Sequence, residues 1–149
     1  MGISCVLTRV DENGLYDSGA KSLKKSDMLK RKNIIDKSNP NLVISIHMDS
    51  FALSSTSGAQ AYYKKGSESG KVLAEKVQKQ LSCNFENAKK SEKVGDYYIV
   101  NCTDVPAVLV ECGFLSNHEE EVLLQNEDYQ NKICYSIMCG ALDFLNYSN

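Results

Sequence analysis

The sequence is 149 residues long, enough for one compact domain with a buried core and short for two. With 42% hydrophobic and 24% charged residues, it has the composition of an ordinary globular protein rather than a disordered or membrane-spanning one. Its 17 basic and 19 acidic residues leave a net charge of −2, which gives no electrostatic footing for nucleic acid or an anionic membrane surface.

The start, Met1-Gly2-Ile3, lacks the charged segment and apolar run of a signal peptide or anchor, so any export signal is expected upstream. Ile3-Ser4-Cys5-Val6-Leu7-Thr8 reads as a short strand, closed by the turn residues Asp11-Glu12-Asn13-Gly14. A helix is expected from about Ser26, as its N-cap, to Lys37, with Met28, Leu29, Ile34 and Ile35 facing inward. Its basic residues Lys30, Arg31 and Lys32, with Lys24 and Lys25 before them, read as a solvated face. Asn39-Pro40-Asn41 ends it.

Leu42-Val43-Ile44-Ser45-Ile46-His47 follows as an apolar run, the pattern of a strand covered on both faces. A loop over 54–58 leads to a strand at Ala59-Gln60-Ala61-Tyr62-Tyr63. From about Ser67 to Leu81, Leu73, Val77 and Leu81 recur at four-residue steps, which aligns them on one helical face. After a polar loop over 84–95, two further strands are expected at Tyr97-Tyr98-Ile99-Val100 and, behind Pro106, at Ala107-Val108-Leu109-Val110-Glu111. Ile133, Ile137, Ala141 and Phe144 form one stripe of a closing helix from about Asp128 to Leu145. Strands alternating with helices predict an α/β fold, a twisted mixed or mostly parallel sheet flanked by helices on both faces.

Six cysteines would permit a disulfide framework, but no CxxC spacing occurs. Cys5, Cys112, Cys134 and Cys139 lie in apolar patterns, where free thiols are expected to act as small buried hydrophobes.

Two strand ends carry chemistry. His47 closes an apolar run and is followed by Met48-Asp49-Ser50, at the carboxyl end of a strand where α/β sheets bind ligands. With period two, Val43, Ser45, His47 and Asp49 share one face. A histidine there is either a structural residue beside the core or a metal ligand. Glu111 likewise ends an apolar run, before Cys112-Gly113-Phe114. It either caps the next turn or pairs with a lysine, or it is a desolvated carboxyl whose raised pKa suits proton transfer.

Taken together, Ser45-Ile46-His47-Met48-Asp49-Ser50 and the run from Pro106 to Asn117, with Glu111-Cys112-Gly113-Phe114-Leu115-Ser116 inside it, resemble signature blocks of the zinc-dependent type 3 N-acetylmuramoyl-L-alanine amidases. Thr8-Arg9 followed by Asp11, Gly14-Leu15-Tyr16, Arg31 and Gly58-Ala59 fall in the family's order, so the resemblance covers essentially the whole chain. Gly14-Leu15-Tyr16 and Glu111-Cys112-Gly113-Phe114 look most similar to the germination-specific, spore-cortex amidases of endospore formers.

The resemblance implies hydrolysis of the amide joining N-acetylmuramic acid to L-alanine in peptidoglycan, outside the cytoplasm, by Zn2+-activated water. In that reading His47 is a zinc ligand, Glu111 the general base and acid, and Asp49 and Asn87 substrate contacts. The family's other two zinc ligands, a histidine and a glutamate, precede the Thr-Arg block. Here that block stands at residues 8 and 9, and Met1 to Leu7 hold neither residue type. The resemblance therefore implies a single catalytic domain over 1–149 that lacks the family's first strand and first helix, holds zinc weakly, and is poorly stable alone or pairs with a neighbour.

His118, the other histidine, reads as a loop residue before the acidic run Glu119-Glu120-Glu121. Asp49 stands where the family usually has asparagine, and Ala88 follows Asn87 where an arginine is common. The first change adds a carboxylate that attracts cations and repels an anionic stem peptide, and the second removes a carboxylate clamp. The alternatives are a catalytically incomplete relative that binds peptidoglycan or a protein partner, and a zinc peptidase on a similar framework.

Overall fold

The computed structural model describes residues 2–147, with nine elements in chain order. These are α1 (Leu23–Ser38), β1 (Val43–Asp49), β2 (Gln60–Tyr63), α2 (Glu68–Asn84), β3 (Lys93–Val94), α3 (Tyr98–Asn101), β4 (Ala107–Phe114), α4 (His118–Leu124) and α5 (Glu127–Tyr147). Four strands form one sheet in the order β1-β4-β2-β3, with β1 parallel to β4, β2 antiparallel to β4, and β3 parallel to β2. The expected mixed α/β sheet is present. Among the described residues no helix is long and apolar enough to cross a membrane.

β4 is the centre of the molecule, and all eight of its residues are buried. Its even residues Val108, Val110 and Cys112 enter a core with Ala59, Ala61, Leu73, Val77, Leu81 and the α5 residues Ile133, Ile137 and Phe144. Its odd residues Ala107 and Leu109 face a smaller core with Ile35 of α1 and Ile99 and Val100 of α3. Alternation along one strand thus puts α2 and α5 on one face of the sheet and α1 and α3 on the other. Fully burying a leucine such as Leu73 or Leu81 contributes roughly 1.5–3 kcal/mol, so the α2 stripe holds that helix in place. Gly140 lets α5 close on α2, because a Cβ there would come within 2.5 Å of Val77 Cα.

Several expectations need correction. Ile3 to Thr8 forms no strand, and Ile3, Val6 and Leu7 are exposed. An extended segment becomes a strand only by pairing, and among the described residues no strand pairs with it. Tyr97 to Val100 is not a strand either, for Tyr98–Asn101 forms the short helix α3. One helical turn suffices to send the adjacent Ile99 and Val100 into the smaller core. The first helix starts earlier than expected, because Ser22 rather than Ser26 caps it by accepting from Lys25 N. Ser26 Oγ is used differently, accepting from Asp17 N and donating to Asp17.

Within α1 only Asp27 and Ile35 are buried, while Leu29 is exposed. Asp27 and Arg31 instead fasten the segment before the helix. Arg31 Nε donates to Asp27 Oδ2 at 2.6 Å, Leu15 N to Asp27 Oδ1 at 2.7 Å, and Arg31 Nη1 to Thr8 Oγ1 at 3.3 Å. His118 opens the helix α4 instead of lying in a loop. Of the cysteines expected inside, Cys112 is buried but Cys5 and Cys134 are exposed and Cys139 is intermediate.

Candidate functional site

The parallel pair β1 and β4 places its carboxyl ends side by side, the position at which open α/β sheets gather ligands. His47 and Glu111 are register partners there, following Val43 with Ala107 and Ser45 with Leu109 on the same face. The register then shifts, and Asp49 pairs with Phe114, so β4 carries one extra residue between Glu111 and Phe114. Such a bulge re-aims side chains at a strand end. Two cross-links fix the segments just beyond: Leu115 N donates to Asp49 O at 2.7 Å and Phe51 N to Ser116 Oγ at 2.9 Å.

Glu111 is 4% exposed, and its Oε2 is buried with no hydrogen-bond partner. Burial first, and then the negative charge of Asp49, pushes its carboxyl up to about 7. A group with that pKa near neutrality can both take and return a proton. The adjoining thiol of Cys112 is pushed by burial up to about 12, which leaves it an inert, protonated hydrophobe.

His47 contrasts with Glu111, because it lies exposed on the open edge of β1 with Nε2 2.9 Å from Ser45 Oγ. Crowding by surrounding protein, followed by the Arg31 charge, lowers its pKa against a smaller upward pull from Asp49. A neutral imidazole is the form that binds metal. Asp49 is partly buried, accepts from Ser50 N at 2.7 Å, and acts electrostatically on both His47 and Glu111.

Tyr62 of β2 and Tyr97 before α3 also feel this cluster. Their rings meet edge to face with centroids 5.2 Å apart. Burial, then Tyr62 and the charges of Glu111 and Asp49, push Tyr97 up to about 12. Burial followed by Glu111 and Asp49 raises Tyr62 as well. Both phenols therefore stay protonated at neutral pH.

Asn87 lies on the loop after α2, with its Nδ2 donated to Glu120 Oε1 at 2.7 Å. Glu120, 2% exposed, is a buried carboxylate that sequence reasoning did not single out. Its place inside an acidic run hid it. Only its position at the third residue of α4, facing the core side with Leu124, could have separated it from Glu119 and Glu121. His118 is solvent-facing, with Nδ1 3.6 Å from a Glu121 carboxylate oxygen. Among the described residues no three His, Cys, Asp or Glu side chains are grouped so as to hold a metal ion.

Residues 1–142 match the N-acetylmuramoyl-L-alanine amidase family. The chain is 35% identical over 148 residues to the germination-specific N-acetylmuramoyl-L-alanine amidase of Bacillus subtilis (strain 168), covering 96% of this chain and 62% of that protein. It thus spans about three fifths of that relative's length. Among solved structures, it is similar to the CwlD amidase from Clostridioides difficile in complex with the GerS lipoprotein, with TM-score 0.89 and 35% identity over 95% of this chain and 75% of that one. It is also similar to the catalytic domain of CwlV, an N-acetylmuramoyl-L-alanine amidase from Bacillus (Paenibacillus) polymyxa var. colistinus. There the TM-score is 0.81 and the identity 28%, over 95% of this chain and 72% of the other.

Proposed function

The chain belongs to the N-acetylmuramoyl-L-alanine amidase family, and from that premise we propose that it hydrolyses the amide between the lactyl group of N-acetylmuramic acid and L-alanine in peptidoglycan. The observation that carries this reading is Glu111, a buried carboxyl with a pKa of about 7 at the carboxyl end of a parallel strand pair. Glu111 accepts a proton from the attacking water as that water's oxygen bonds to the amide carbonyl carbon. It then delivers the proton to the departing nitrogen. The C–N bond breaks, leaving the lactyl carboxylate and a free L-alanine amine. Asp49 and Asn87 are the proposed substrate contacts.

Zn2+ is the cofactor of this reading, and His47 is the residue proposed to ligate it. A catalytic zinc takes three protein ligands and a water. The described residues gather no such set, so by themselves they do not fit a catalytic zinc, and the proton steps above are derived without it. The proposed place of action is extracytoplasmic, in the cell wall or spore cortex, in keeping with the germination-specific relative. The relative solved with the GerS lipoprotein supports a protein partner for this chain as well.

The test is digestion of purified peptidoglycan sacculi in the presence of Zn2+, followed by labelling of new amino termini. The expected result is free L-alanine termini on intact stem peptides, and none with Glu111→Gln. Cleavage inside the stem would point to a peptidase. The shortage of grouped metal ligands favours a second reading, a module that binds peptidoglycan or a protein without cutting. Sacculi that retain the protein and yield no L-alanine termini would support that second reading over the first.

A further inference from the structure

Glu120 is a carboxylate buried to 2% exposure, and the three groups that satisfy it are all neutral. Gly58 N donates to Oε1 at 2.7 Å, Asn87 Nδ2 to the same oxygen at 2.7 Å, and Phe114 N to Oε2 at 2.8 Å. Burying a charge without a counter-charge is costly, and here only these three donors offset that cost. Capping of α4 does not explain it. Asn117 already accepts from Glu119 N and Glu120 N at that helix start. What the carboxylate does is join three segments that lie 62, 33 and 6 residues from it in sequence.

Two of the three segments adjoin residues of the site, and the third, at Asn87, packs on Gly58. Phe114 is three residues beyond Glu111 and register partner of Asp49, and Gly58 is two residues before Gln60, which pairs with Glu111. Between Asp49 and Gly58 runs a loop that exposes Phe51 and Leu53. Its near end is held by Phe51 N on Ser116 Oγ and its far end by Gly58 N on Glu120. At that far end the backbone turns with φ 95° at Gly58, where a Cβ would stand 1.9 Å from Asn87 O. The loop and Asn87 are thus packed against each other and locked by one carboxylate.

We infer that Glu120 is a positioning residue: its carboxylate fixes the far end of the 50–58 loop that follows Asp49, with Asn87 packed against that end, and so sets affinity for the peptidoglycan strand. This rests on the proposed peptidoglycan reading. Glu120→Gln keeps the shape but replaces one acceptor oxygen by an amide that cannot accept, so at least one of the three donors is stranded.

The experiment measures binding of the full chain to purified sacculi together with amide hydrogen exchange. Glu120→Gln is expected to weaken binding about tenfold and to speed exchange at Gly58 and Phe114, while the amides of α2 and α5 keep their protection. Ser22→Ala, which removes the cap bond to Lys25 N in α1 and touches none of these segments, serves as a destabilised control that binds like the unmodified chain. Asn87→Ala removes one donor at an exposed position, should fold even if Glu120→Gln does not, and is expected to cause a smaller loss. Unchanged exchange at Gly58 and Phe114, or binding no weaker than in the Ser22→Ala control, overturns the positioning role. Failure of the unmodified chain to bind sacculi, with exchange still faster in Glu120→Gln, overturns the peptidoglycan reading instead and removes the affinity role with it.

Discussion

β4 and β1 are neighbouring strands with nearly the same apolar pattern and opposite fates. Every residue of β4 is buried, with Val108 and Val110 at 0% exposure, whereas Ile46 and Met48 of β1 are 57% and 52% exposed. The difference is the number of neighbours. β4 lies between β1 and β2 with helices on both faces, and β1 is an edge strand. An apolar alternation therefore states a demand for burial, and only pairing meets it. The candidate site straddles this boundary. Its proton-transfer group sits on the sealed strand, and its imidazole sits on the open one.

The largest expected effect separates the two strands by stability. Leu109→Ala should cost about 2–5 kcal/mol in chemical denaturation, and equal costs for Leu109→Ala and Ile46→Ala would break the comparison. Next comes the proton on Glu111. Its folded pKa lies above the ordinary carboxylate value of 4.5, so the folded chain holds this proton more tightly than the unfolded chain. Stability from this group is full below about pH 4.5 and is lost as pH rises through about 7. Glu111→Gln should remove a loss on the order of 1–3 kcal/mol between those limits, read as a flatter profile of denaturation midpoint against pH.

A smaller effect concerns α1. Ser22→Ala should cost about 1 kcal/mol through the lost cap, and thermal melts that rank Ser26→Ala above it would reverse the assignment. Ile46→Ala should be the mildest, within about 0.5 kcal/mol, as an exposed edge position implies. A rise in cost on adding a pairing partner would sharpen the contrast.

How much of this was legible depended on the same rule. β4, α2 and α5 were readable because each carries a period that its surroundings honour, as in the stripe Leu73, Val77, Leu81 buried at 0%. β1 forms as expected but is not covered on both faces, its Ile46 and Met48 being exposed at the sheet edge. Ile3 to Thr8 has β-type residues but, among the described residues, no strand partner, and Val10 beyond it is 85% exposed. At Tyr97 to Val100 a four-residue apolar run fits either a strand or a helical turn, and packing of Ile99 and Val100 chose the turn.

In the site, His47 and Glu111 stood out because each polar group ends an apolar run. Their convergence needed the parallel register, which no local pattern encodes. Glu120 gave no comparable sign, since Glu119, Glu120 and Glu121 look alike until the helix turns one of them inward.

The claim on which the site rests is that a sealed carboxyl, held near neutrality by burial, sits at the end of β4. Its direct test is the pH titration of the Glu111 side-chain carboxyl carbon by NMR in labelled protein, assigned by the signal lost in Glu111→Gln. Half-protonation near pH 7 is the predicted result. A midpoint at the ordinary carboxylate value of 4.5 would contradict it.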